Sequence, residues 1–185
     1  DFPLGKGVSA RVYALSNTEV LLLTYVRSKV AVARTLGIAR EVLTYDVGYR
    51  NRYDIQDTPI YAIRMKRLLP LHCGTKDHEY QYALAERIVA NAIRRAGNWR
   101  DAWDIVRHAS DADNQLRLLA HLAYISPSTP GGDMHGGNAM IDPDTGDLIY
   151  TDILHYYAET AATPMIEEIP TVEDLPEPTD NISLV

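Results

Sequence analysis

An α+β fold built as two small lobes is what the sequence predicts. Three observations carry that expectation: residues 3–68 are rich in strand-like runs, residues 75–124 show helical apolar periodicity, and a glycine-rich loop with a hairpin pattern follows. A chain of 185 residues suits one compact domain or two small lobes sharing a cleft.

Arg11-Val12-Tyr13-Ala14-Leu15 reads as a short strand and Ser16-Asn17-Thr18 as a turn. Glu19 to Val26 reads as a buried strand of apolar, β-branched and aromatic residues. A short helix over 28–36 is stopped by Gly37. Glu41 to Tyr49 and Pro59 to Leu68 read as two further strands, joined by a polar loop from Arg50 to Asp57.

Thr75 is the expected cap of a helix over Lys76 to Ala96. Leu84, Ile88 and Ala92 recur there every four residues, with Ala85, Val89 and Ile93 beside them. Gly97-Asn98 ends it. A helix over 99–109 sets Trp99 and Trp103 on one face, with core packing as their expected role. Asp113 caps a helix over Asn114 to Tyr124, with Leu116, Leu119 and Leu122 inward, and Pro127 and Pro130 bar its continuation. Asp142 to Asp147 is a turn sequence between the strands Ala139-Met140-Ile141 and Leu148-Ile149-Tyr150. From Thr163 onward proline and acidic residues accumulate, which reads as an extended or disordered tail. The expected divisions are residues 1–69, 70–163 and 164–185.

All 18 lysines and arginines lie at or before Arg117, so the rest of the chain is purely acidic. Such an end keeps a protein soluble or offers a surface to a basic partner. No basic run interleaves with aromatic residues, which argues against nucleic acid as a partner. The single cysteine, Cys73, excludes an internal disulfide and a metal site of paired cysteines. No apolar run approaches the roughly 20 residues needed to span a bilayer. No signal-peptide pattern opens the sequence, so no membrane role and a cytoplasmic setting are expected.

Three features carry chemistry. In Gly5-Lys6-Gly7-Val8-Ser9-Ala10-Arg11-Val12, two glycines one residue apart let backbone N–H groups approach phosphate, and Lys6 can fold toward it. A plain hairpin turn has the same signature. The Walker pattern and the dinucleotide fingerprint both fail, because no Gly-Lys-Ser/Thr occurs and a strand follows. In Asp133-Met134-His135-Gly136-Gly137-Asn138, a carboxylate and a carboxamide share one tight loop; the first can accept a hydroxyl proton and the second can hold a metal. A glycine-rich surface loop is the alternative. Asp152 follows the hairpin, which returns it to the end where Asn138 stands, and an oxygen pair there suits Mg²⁺. A turn or cap is the alternative for Asp152 alone.

Taken together, Leu4 to Tyr13 (LGKGVSARVY), Asp133 to Met140 (DMHGGNAM) and Ile149 to Asp152 (IYTD) resemble the protein-kinase-like superfamily. More narrowly they resemble the early serine/threonine protein kinases of T-odd podoviruses, over roughly residues 3–154. Tyr45-Asp46-Val47 adds a weaker match. The resemblance implies a minimal bilobal kinase-like fold, with a small antiparallel-sheet N-lobe and a truncated helical C-lobe. It implies an ATP- and Mg²⁺-dependent kinase acting on host proteins in the host cytoplasm. By position, Asp133 is the implied base, Asn138 and Asp152 the Mg²⁺ ligands, and His135 a brace for the loop. Gly5, Lys6, Gly7 and Ser9 lie over the phosphates, Val12 touches adenine, and Met65 to Leu68 form the hinge.

The sequence departs from that pattern in two places. Kinases hold the phosphates with a Lys on the third strand, paired to a Glu on the next helix. Leu22 stands where the Lys belongs, and the only acid between Val20 and Asp46 is Glu41, past the helix. Arg11, Arg27, Lys29 and Arg64 are alternative cations, with Arg11 expected to face away from Val12. No Phe-Gly follows Asp152, and residues 153–185 leave little room for an activation segment. A kinase-like protein that binds and inhibits a host factor is therefore the second expectation, and a small-molecule kinase the third. Oligomeric state is not legible.

Overall fold

The computed structural model describes residues 4–7, 10–45, 59–156, 173, 175, 177–178 and 180–181. It is an α+β protein. The chain divides into two compact units, Asp1–Arg67 with Ala158–Val185, and Leu68–Tyr157. The division falls within the expected hinge, Met65 to Leu68. Among the described residues no helix is long and apolar enough to cross a membrane.

The first unit opens with β1 (Gly5–Gly7), β2 (Ala10–Ala14) and β3 (Glu19–Thr24). Helix α1 (Arg27–Thr35), β4 (Ala39–Tyr45) and β5 (Ile60–Lys66) follow. Gly5–Gly7 thus belong to a strand rather than a loop, because their extended backbone ladders with β2, Gly5 opposite Val12 and Gly7 opposite Ala10. The turn after β2 closes on Ser16, whose Oγ accepts from the Thr18 and Glu19 N–H groups at 3.1 Å. Helix α1 ends as Gly37 foretells: Gly37 N–H donates to Arg34 O and Ile38 N–H to Ala33 O, two bonds that satisfy the last carbonyls. The expected loop from Arg50 to Asp57 lies outside the described residues, as do Asp46 and Val47.

The strands form one antiparallel sheet, β1-β2-β3-β5-β4, with the short strand Asp180–Asn181 beside β4. The segment expected to be an extended or disordered tail contributes an extended strand to the sheet, pairing Asp180 with Thr44 and Asn181 with Leu43. Alternation sorts the side chains onto two faces. On the first, Tyr13, Leu23, Tyr25, Ile60 and Ala62 form a buried cluster, with Leu21, Leu43, Tyr45 and Leu175 packed against it. The second carries Val12 opposite Leu22, Leu22 opposite Ile63, and Ile63 opposite Val42. Helix α1 packs on β4 and β5 and adds nothing to the first cluster, so it covers this second face. Val42 and Ile63 have no exposed area there, and full burial of each such side chain contributes about 1.5–3 kcal/mol.

The second unit runs through β6 (Leu69–Pro70), α2 (Lys76–Ala96), α3 (Trp99–His108), α4 (Asn114–Ile125), β7 (Gly131–Gly132), β8 (Ala139–Ile141), β9 (Leu148–Tyr150) and β10 (Leu154–His155). The last strand of the chain, Asp180–Asn181, is β11. Helices α2, α3 and α4 pack in sequence, and α2 and α4 each touch β9. Strands β6, β8 and β9 form one sheet, and β7 pairs with β10. Asp113 caps α4 as expected, accepting from Leu116 N–H at 2.7 Å; Asn98, read from the sequence only as part of the end of the preceding helix, also caps α3 by accepting from Asp101 N–H at 3.0 Å. Trp99 and Trp103 stack at 5.6 Å, and Trp103 is fully buried.

Candidate active site

The loop from Asp133 to Asn138 is fixed at its entry by α3. Trp103 Nε1–H donates to Pro130 O at 2.8 Å. Gly132 lies so close to Trp99 that a Cβ there would sit 2.8 Å from the indole, which only glycine avoids. Strand β7 pairs with β10, and Asp133 N–H extends the ladder by donating to Ile153 O at 2.8 Å. Asp133 therefore leaves a fixed backbone with its side chain half exposed.

Inside the loop, Gly137 N–H donates to His135 Nδ1 at 3.2 Å. That bond makes Nδ1 the acceptor, so a neutral imidazole carries its proton on Nε2. His135 Nε2 lies 3.8 Å from Asp133 Oδ2, beyond a direct hydrogen bond but within ionic reach. Asn138 N–H donates to His135 O at 2.8 Å, tightening the turn. The Asn138 side chain is buried, and its Nδ2 donates to Asp133 O at 2.8 Å. The amide nitrogen is thus used internally, leaving Oδ1 as the outward group.

Asp152 is brought to the same place by the β8–β9 hairpin, in which Ala139 faces Tyr150. Thr151 N–H and Asp152 N–H both approach Asn138 O, at 2.9 and 3.4 Å. Tyr150 anchors the hairpin end on α4. Its N–H donates to Gln115 Oε1 and its hydroxyl to Asp113 Oδ2, both at 2.6 Å. Burial first, then this bond to Asp113, pushes the Tyr150 phenol far above its ordinary value. At the other hairpin end, His78 Nδ1 accepts from Thr75 N–H at 3.0 Å, so its Nε2–H donates to Gly146 O at 2.8 Å.

The structure therefore joins Asp133, Asn138 and Asp152 through backbone bonds centred on Asn138, with His135 beside Asp133. Oxygen donors of this kind fit a hard cation: Mg²⁺ takes one or two protein oxygens and completes its shell with water and substrate phosphates. Among the described residues no group of three His, Cys, Asp or Glu could hold a metal unaided.

In the first unit, Gly5, Val12 and Leu22 stand in one register row, and Met65 opposite Val20 lies on the same face as Val12. Ser9 and the Lys6 side chain lie outside the described residues. Arg64 pairs with Leu21 on the opposite face and binds Glu19 at 2.7 Å, and Arg11, opposite Leu23, shares that face. Neither can take the place of a Lys at Leu22. Helix α1 carries no acid, and Glu41 is in β4, 3.9 Å from Arg64.

Two site neighbours escape a search for charged motifs. Tyr150 reads as an ordinary strand residue. Tyr82 belongs to the buried stripe of α2 with Ala85, Ile88, Val89 and Ala92; extending that stripe one turn backward would have found it. Its phenol is pushed up to about 12, by burial first and then by Glu86 and Asp133. Comparison of the chain with protein-family models, curated proteins and solved structures finds no match.

Proposed function

We propose that this protein is a minimal protein-kinase-like phosphotransferase that moves the ATP γ-phosphate to serine or threonine hydroxyls of a protein substrate, in the manner of the phage kinases its motifs resemble. The observation that carries this reading is the closure of Asp133, Asn138 and Asp152 around the Asn138 carbonyl and carboxamide. A merely structural loop has no need to present a half-exposed carboxylate beside a carboxamide oxygen and a second carboxylate. Asp133 is the proton acceptor for the attacking hydroxyl, and its fixed backbone supplies positioning, the main protein contribution to phosphoryl transfer. His135 holds its Nε2–H toward that carboxylate. Asn138 Oδ1 and Asp152 are the ligands offered to Mg²⁺, which when bound neutralises charge on the phosphates. On the first unit, the Val12, Leu22 and Met65 face supplies an apolar surface for a base.

A second reading is favoured by one specific observation. The third strand lacks a Lys and the helix after it lacks an acid, so the protein would instead bind and inhibit a target without transfer. Incubation with labelled ATP, Mg²⁺ and lysate separates the two. The enzyme reading expects label on a protein or on the chain itself, abolished in Asp133→Asn. Absence of label with both proteins, together with equal target binding by both, overturns it.

A further inference from the structure

His78 is the third residue of α2, and both nitrogens of its ring are committed. Nδ1 accepts from Thr75 N–H at 3.0 Å, which closes the cap of the helix. A neutral imidazole with Nδ1 as acceptor carries its proton on Nε2. That nitrogen lies 2.8 Å from Gly146 O in the β8–β9 turn, 68 positions away in the chain. The ring fills the space beside Gly74, where an added Cβ would be 2.6 Å from His78 Nδ1 and 3.0 Å from Ile141 Cδ1 of β8. One imidazole therefore joins the start of α2 to the turn of the hairpin.

The hairpin needs such an anchor. Its strands are three residues each, and a short isolated hairpin is marginal in water. Strand β6 adds only Leu69 and Pro70 to the sheet, and a proline has no N–H to give to it. The turn itself is stiff. Gly146 N–H donates to Asp142 O at 2.8 Å, Asp142 N–H to Asp147 O at 2.9 Å, and Asp144 N–H to Asp142 Oδ1 at 2.9 Å. A hold on Gly146 O is thus passed to both strands. Asn138 directly precedes β8, and Asp152 stands two residues beyond β9. At that end Tyr150 ties the hairpin to α4; at the turn end His78 ties it to α2.

We propose that His78 is a positioning residue for Asn138 and Asp152: by gripping Gly146 O it keeps the hairpin from pivoting on its Tyr150 anchor, and so holds both oxygen ligands in one orientation. The inference deepens the phosphotransfer reading and rests on it for its catalytic consequence, while the grip itself is independent of catalysis.

Cap and grip use different nitrogens, so two variants of the full chain separate them. In His78→Asn the carboxamide oxygen stands as many bonds from Cα as Nδ1 does. It keeps an acceptor for Thr75 N–H, while nothing reaches Gly146. His78→Ala loses both bonds. NMR should therefore show Thr75 N–H protected from exchange in His78→Asn and not in His78→Ala. The Gly146 ¹³C′ resonance should move in both. So should the exchange rates of the Gly146, Thr151 and Asp152 amides, which rise. In an active enzyme kcat should fall about tenfold to a hundredfold in both variants, with KM for the protein substrate unchanged, because misplaced ligands cost positioning. A Gly146 ¹³C′ resonance that ignores both variants overturns the proposal. So does faster exchange confined to the turn, with Thr151 and Asp152 as in wild type. A wild-type kcat in His78→Asn would leave His78 a helix cap alone. If wild type transfers no phosphate, the enzyme reading fails, and exchange at Thr151 and Asp152 still decides the grip.

Discussion

The Asn138 carboxamide reaches back five residues to donate its Nδ2–H to the Asp133 carbonyl at 2.8 Å. This single bond fixes the loop that presents Asp133 and decides which end of the amide faces outward. Asn138→Asp replaces the donor with an acceptor against a carbonyl. Loss of a largely buried bond costs about 1–3 kcal/mol. The expected result is a lower urea midpoint at unchanged m-value, with transfer activity lost. An unshifted midpoint would show the bond to be dispensable.

Tyr150→Phe removes the 2.6 Å bond to Asp113. A hydrogen bond to a charged group contributes about 1.5–3 kcal/mol. Because Tyr150 holds the strand end that delivers Thr151 and Asp152, the variant should also show faster amide exchange at those two residues. Hydrogen-exchange NMR reads this directly, and protection equal to wild type would count against the anchor.

Both buried phenols make stability sensitive to alkali. Burial pushes the Tyr82 and Tyr150 phenols above their ordinary value of 10.0, Tyr82 up to about 12. A raised folded pKa contributes stability that is fully present below the unfolded value and is lost as pH rises toward the folded one. Stability should therefore be level below pH 10 as far as these groups are concerned. Above it, the fall is about 1.4 kcal/mol per pH unit for each tyrosine. Denaturation curves between pH 9 and 11 should be less steep in pH for Tyr82→Phe than for wild type.

Most of this was legible in the sequence because local chemistry sets it. Asp113 and Thr75 announce helix starts, Gly37 and Gly97 announce ends, and DPDTGD announces the hairpin. The Asp133, Asn138 and Asp152 set was legible for the same reason: one tight loop and one hairpin fix their spacing. What escaped depends on contacts between distant residues. Tyr82 is buried only through the packing of α2, and Tyr150 meets Asp113 across 37 positions. The facing of Arg64 follows from strand register, which a run of apolar residues does not specify.

That facing yields a further expectation. Arg64 is exposed and engaged with Glu19, on the face away from Val12 and Leu22. Under the proposed phosphotransfer reading, Arg64→Ala should leave transfer at the wild-type rate, since exposed pairs contribute little to stability and this one points away from the face of Val12 and Leu22. A collapse of activity, measured with labelled ATP, would identify Arg64 as the missing phosphate cation.

Strand β11 sits on β4, the strand that would otherwise end the sheet. It is only two residues long, and a proline-containing acidic stretch precedes it. An unpaired strand invites other chains to add to it, and short, charged or proline-flanked borders discourage such growth. On that principle, the expected consequence of this pairing is that the C-terminal segment guards the sheet border against self-association. Chains ending before Glu173 should leave β4 and the Leu43–Tyr45 surface uncovered and associate more at a given concentration than the full chain, which sedimentation would read; equal association of the two would count against the guard.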